Sequence, residues 1–352
     1  KKAPDFIKSI LEIDKAGYDC DYISEKYLMG TTYVNGMLQT AAGTRYSALI
    51  IPGSGNMPEK VKAHINNLKS QGAKIIYGTN VSDMAKATDA EMMKSQYGLR
   101  AIRRKNATGH HYFIANLTPN DVSARIPLTV SMKDARWFDP LTGEIYSVDM
   151  NAEGVKIDLR SGESMILQTY NSVQPAANKM RMQLDATVKT VDGKWNFEFV
   201  ESAPQVNSKF EMEALKTWET LNDTARVTMG TGAYTTEINF TKDEAKAKWA
   251  IDLGDVRESA RVFVNGQLIG CAWSVPFVLN CNDAFIEGKN TIRIEVTNLP
   301  ANRIAELDRQ GVKWRKFDEI NVVDINYKKT SYANWEVVKS GLNSDVKLIK
   351  TL

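Results

Sequence analysis

Apolar residues recur at helical spacing early in the chain and alternate with period two later. The clearest alternation is in residues 290–298, where Ile292, Ile294 and Val296 share one face and Arg293 and Glu295 the other. One apolar face at period two predicts antiparallel strands packed on a core. Runs 260–264 and 267–270 flank Asn265-Gly266, a dipeptide that accepts φ > 0 at both turn positions, so they read as a hairpin with a two-residue turn. Residues 249–299 as a whole read as half of a β-sandwich.

The first hundred residues carry a different signal. Phe6, Ile7, Ile10, Leu11 and Ile13 form a helical stripe over 5–16, with Gly17 positioned as a C-cap. A short strand follows at 34–38. Apolar run 47–51 ends in Pro52-Gly53-Ser54-Gly55; Pro58 then opens a helix carrying Val61, Ile65 and Leu68, which Gly72 closes before a second buried strand at 73–77. This strand–helix–strand unit predicts a parallel pair with a right-handed crossover. Residues 82–96 read as one more helix. From residue 99 the alternating runs 99–105, 111–116, 125–131 and 163–170 predict a small β-sandwich, and 172–178 (SVQPAAN) reads as a linker. The expected organisation is therefore an α/β domain at 1–98, a small β-sandwich at 99–175 and a larger β domain at 176–352.

The wording of the last domain is more specific than its periodicity. Leu253-Gly254-Asp255-Val256, Val264-Asn265-Gly266, Gly270, Trp273, Pro276-Phe277, Gly288-Lys289-Asn290, Val296-Thr297-Asn298 and Asn302-Arg303 follow one another in an order that resembles the jelly-roll, galactose-binding-like domains of multidomain glycoside hydrolases. The likeness is to the C-terminal module of glycoside hydrolase family 106, the α-L-rhamnosidases, and to related modules of family 2. Ser340-Gly341-Leu342 and Val346-Lys347-Leu348 fit it, whereas Ser344-Asp345 stands where that pattern has Gly-Pro. Asp21-Tyr22-Ile23, Gly43 and Arg45-Tyr46 resemble the amidotransferase-like α/β domain of such enzymes, and the W-x-D-P-x-T-G-E wording at 137–144 resembles their β-sandwich linkers. The resemblance implies an exported protein, periplasmic or secreted, whose catalytic (β/α)8 barrel is another part of the polypeptide. A barrel takes about 250 residues, and only about a hundred here read as α/β. This chain is then the accessory region that braces the barrel, with plant or bacterial polysaccharide fragments as its carbohydrate partner. An autonomous carbohydrate-binding module and a surface adhesion protein are the alternatives.

Composition narrows the chemistry. Of 352 residues, 43% are hydrophobic and 25% charged, and 45 basic residues nearly balance 42 acidic ones, so nothing points to nucleic acid or an anionic membrane. No apolar run is long enough for a membrane span. Three histidines and three cysteines, with no C-x-x-C pair, argue against a zinc site or a Cys–His nucleophile. Cys271 and Cys281 would bond if neighbouring strands align them. Glycoside hydrolysis calls for two carboxylates about 5–10 Å apart. Asp252, Asp255, Glu258, Glu287, Glu295, Glu306, Asp308, Asp318 and Glu319 sit where turns and solvated strand faces expect acids, and no catalytic residue is assigned. Pro-Gly-Ser54-Gly-Asn departs from G-x-S-x-G and lacks a phosphate-loop lysine, so it reads as a tight turn. No cofactor is expected beyond a structural calcium, for which Asp252 or Asp283 would serve although no calcium-loop motif is present. Sugar binding remains. It needs an exposed aromatic ring and planar hydrogen-bonding groups, for which Trp273, Asn298, Asn302 and Arg303 are the candidates. Trp314, Phe317, Tyr327, Tyr332 and Trp335 add aromatic density nearby.

Overall fold

Antiparallel sheets dominate the molecule, with few helices among them. The computed structural model describes residues 5–53, 57–177, 179–316, 325–326 and 328–352. Ser54, Phe317, Asp318, Glu319 and Tyr327 lie outside the described residues. The chain divides into two compact units, 1–181 and 182–352.

The first unit opens with helix Asp5–Lys15, closed by Gly17 at φ +96°. Of its apolar residues only Ile13 is fully buried; Phe6, Ile7 and Leu11 are exposed. Strands Leu49–Ile51 and Ile75–Tyr77 pair in parallel, joined by helix Glu59–Ser70, which buries Val61, Ile65 and Leu68. Two expectations differ from what is seen. The single strand at 34–38 is a hairpin, Thr32–Val34 with Met37–Gln39, turning at Asn35-Gly36 with φ of 49° and 79°. The helix over 82–96 is two short helices, Val81–Ala85 and Met92–Ser95. The break falls where the Glu91 amide donates to the carbonyl of Gly17 and the Glu91 side chain is drawn into the neighbouring sheet.

Behind these elements two antiparallel sheets face each other. One runs Ile145–Ser147, Asp134–Phe138, Ser164–Tyr170, Gly109–Ala115, Arg100–Lys105; the other runs Met150–Asn151, Gly154–Leu159, Val122–Ile126. Tyr112, Ile114, Trp137, Met165 and Leu167 from the first meet Ile126, Val155, Ile157 and Leu159 from the second in one core.

The second unit is a larger sandwich. Its six-stranded sheet runs Phe210–Met212, Trp195–Ala203, Met229–Phe240, Gly288–Thr297, Ser259–Val264, Gln267–Ala272. Its four-stranded sheet runs Leu184–Thr190, Lys347–Thr351, Trp249–Asp252, Val278–Asn282. Phe197, Tyr234, Val262, Ile292 and Ile294 pack against Trp249, Ile251, Cys281 and Leu348. The Asn265-Gly266 hairpin forms as the sequence dictates, with Val264 opposite Gln267 and φ of 51° and 81°. The Asn265 carboxamide donates to the carboxamide oxygen of buried Asn290 at 2.7 Å, tying this turn to the start of the neighbouring strand. Cys271 and Cys281 are both free. Burial pushes the Cys281 thiol up to about 12.

Candidate functional site

Register gathers the predicted sugar-binding residues at one end of the six-stranded sheet. Ala272 pairs with Ala260, and Ala260 with Val296, so Trp273 and Asn298 leave the sheet at the same end on either side of strand Ser259–Val264. Two strand spacings put their backbones about 10 Å apart. Helix Ala301–Arg309 begins just beyond, carrying Asn302 and Arg303.

Their side chains play different parts. Trp273 is 62% exposed, in the loop ahead of strand Val278–Asn282, and is free to stack. Asn298 is spent on the fold: its amide donates to the Thr228 carbonyl and Ser340 Oγ, each at 3.0 Å, and its oxygen accepts from Gly230 N at 2.9 Å. Asn302, 5% exposed, is spent likewise. It donates to the Val338 carbonyl at 2.7 Å and accepts from Val338 N at 2.8 Å, mimicking a strand partner for that residue. Both asparagines therefore brace this rim. Arg303 is half-buried and adds to the pull that holds the Glu306 carboxyl below the usual range, after the larger effect of the Arg309 hydrogen bond.

Sequence reasoning gave little weight to what lies at the other end of that helix. Asp308 Oδ1 accepts from the Trp314 indole N–H at 2.6 Å and Oδ2 from Tyr332 N at 2.7 Å. These bonds, the Tyr332 amide first, hold the Asp308 carboxyl below the usual range. Arg309 Nη1 donates to the Ala333 carbonyl at 3.1 Å. The result is a ladder: the Trp335 and Tyr332 ring centroids are 4.3 Å apart, and the Arg315 guanidinium lies 4.9 Å from Tyr332 and 5.2 Å from Trp314. The aromatic spacing was visible in the sequence; the Asp308 clamp was not, because its Tyr332 arm spans 24 residues and forms only when folding brings that amide to the carboxylate.

Two of the other acids singled out from the sequence pair with nearby arginines. Glu295 pairs with Arg261 at 2.8 Å and Arg293 at 3.1 Å, and Asp255 with Arg257 at 2.8 Å. Asp252 Oδ1 accepts from Gly254 N at 2.9 Å and lines a depression of about 240 Å³ with Ser344, Asp345 and Lys347. Lys347 brings positive charge to the place a calcium would occupy, so that depression is a poor fit for the ion. Asp283 is exposed. Among the described residues no three His, Cys, Asp or Glu side chains group as a metal site. No described helix is long and apolar enough to cross a membrane.

One further cluster sits inside the first unit. Lys94, with a side chain only 6% exposed, bonds Asp19 Oδ1 at 2.7 Å and Asp14 Oδ1 at 3.0 Å. Next to it Glu91, 3% exposed, takes Arg103 Nη1 at 2.9 Å, Tyr112 Oη at 3.0 Å and Thr129 Oγ1 at 2.5 Å. Burial and the Glu91 charge drive the Tyr112 hydroxyl upward. All polar ends here are matched to one another, which is the pattern of a structural lock.

With this geometry in place, comparison with known proteins is informative about the fold. The structure superposes on the rhamnosidase of Novosphingobium sp. PP1Y over 94% of this chain and 36% of that one, with a TM-score of 0.63 and 19% identity. In sequence it is similar to a putative β-glucuronidase of Formosa agariphila, 25% identical over 266 residues, spanning 68% of this chain and 23% of that protein. A β-glucuronidase of Bifidobacterium dentium matches over 48% of this chain and 31% of its own, with 19% identity and a TM-score of 0.34. No protein-family model matches the chain. The chain thus resembles part of a glycoside hydrolase, and it spans about a quarter to a third of the relatives it matches.

Proposed function

We propose that this chain is the C-terminal accessory region of an exported, α-L-rhamnosidase-like glycoside hydrolase, bracing a catalytic barrel carried elsewhere in the polypeptide. In this reading residues 1–98 are the amidotransferase-like α/β domain, 99–175 a small sandwich and 176–352 the galactose-binding-like jelly roll. The observation that carries it is the superposition, nearly complete for this chain yet only 36% of the rhamnosidase. The side-chain chemistry agrees: hydrogen bonds from Arg309 and from the Tyr332 amide hold the Glu306 and Asp308 carboxyls below the usual range, the opposite of the raised carboxyl that a glycosidase acid needs. The test is an assay of the purified chain on aryl-glycosides, including the α-L-rhamnoside. No turnover is expected; robust turnover refutes the proposal.

Exposure of Trp273 favours a second reading, a carbohydrate-binding rim on the jelly roll. In that case Trp273→Ala abolishes binding of a free oligosaccharide.

A further inference from the structure

We propose that the Trp335–Tyr332–Arg315–Trp314 ladder is a carbohydrate-binding platform, separate from the Trp273 rim, on which the C–H face of a pyranose ring stacks. It takes its ligand class from the carbohydrate-active reading above, but its test does not depend on turnover.

Three observations carry it. First, the ladder stands outside the hydrophobic core of its unit: none of its three rings belongs to the cluster that fills the sandwich. Trp335 is 47% exposed and packs on the Tyr332 ring. Keeping an indole half in water has a cost, which a ligand that covers the ring removes. Second, the platform is built before any ligand arrives. Asp308 fixes both Trp314 and Tyr332, Arg309 fixes Ala333, Asn302 fixes Val338, and Trp335 N closes a turn on the Tyr332 carbonyl at 3.0 Å. A preset ring loses little freedom on binding. Third, the surroundings suit a sugar. Trp335 lies between exposed Asn334 and Glu336, which offer an amide and a carboxylate to hydroxyls, and exposed Val337 and Val338 extend the apolar shelf. One half-exposed ring and two valines fall far short of the roughly 800 Å² per partner that a stable protein interface buries.

The experiment titrates the 352-residue chain with defined xylo-, galacto-, manno-, rhamno- and galacturono-oligosaccharides, read by calorimetry and tryptophan fluorescence. At least one series is expected to bind. Trp335→Ala removes the stacking ring and should weaken that binding about tenfold, equivalent to about 1.4 kcal/mol. Trp335→Phe, which keeps a ring, should restore most of it. Far-ultraviolet circular dichroism confirms that each variant is folded. Flat titrations across the panel, binding indifferent to Trp335→Ala, or a concentration-dependent self-association that Trp335→Ala abolishes would each overturn the proposal.

Discussion

Gly341 shows how much can rest on the absence of one carbon. It sits at φ +92°, and a Cβ there would lie 2.2 Å from Tyr234 Oη and 2.6 Å from Trp218 Nε1, both in the buried heart of the second sandwich. Backbone strain and overpacking then add, and Gly341→Ala should destabilise the second unit by about 2–4 kcal/mol, measured by urea unfolding. An unchanged midpoint would mean that the chain can swing away from those rings. At this scale the sequence was a partial guide. Ser340-Gly341-Leu342 stood out as a pattern, but the reason for the glycine is a tertiary contact across more than a hundred residues. The same holds for Asn298 and Asn302. Their residue type fits sugar hydroxyls and backbone amides equally well, and only the folded position of Thr228, Gly230 and Val338 decides between the two.

Among elements, the hairpin at Asn265-Gly266 was legible because one dipeptide fixes both φ signs. Asn35-Gly36 carries the same signal, yet its strands are three residues each, too short for alternation to show. The first helix was legible as a helix but not in its burial: its stripe turns Phe6, Ile7 and Leu11 to the surface, where Phe6 packs on exposed Tyr22 with centroids 5.3 Å apart. The segment carrying Tyr332 to Val338 is held by side chains rather than by a strand ladder, so it should respond to the state of one carboxylate. Because Asp308 titrates below its ordinary value, its contribution is complete above about pH 4 and is lost as the pH falls through the folded value. Tryptophan emission should therefore shift on acidification before global unfolding, and Asp308→Asn should give that shifted spectrum at neutral pH. An emission spectrum that moves only with the far-ultraviolet signal would contradict this.

For the molecule as a whole, period two exposed the antiparallel character and the wording of the motifs exposed the likeness to part of a glycoside hydrolase, both agreeing with the superposition. The ionic lock around Lys94 was not legible, since Asp14, Asp19, Glu91 and Arg103 are scattered polar residues until folding brings them together. Burial alone would lower Lys94, but hydrogen bonds to Asp19 and Asp14 outweigh it and the amine is raised. Its contribution is thus intact below the ordinary lysine value of about 10.4 and lost as the pH rises through the folded value. Lys94→Met should cost the first unit about 2 kcal/mol, toward the low end for a buried pair because the two aspartates are part-exposed. Calorimetry should show its melting temperature fall while that of the second unit stays; a common shift would mean that the two unfold as one. In the second unit, Lys347–Thr351 is an inner strand, seated between Leu184–Thr190 and Trp249–Asp252. During synthesis the four-stranded sheet lacks its middle until residue 351 has cleared the ribosome. This unit therefore closes late, and trimming even its last few residues would leave two orphan strand edges rather than a shortened domain.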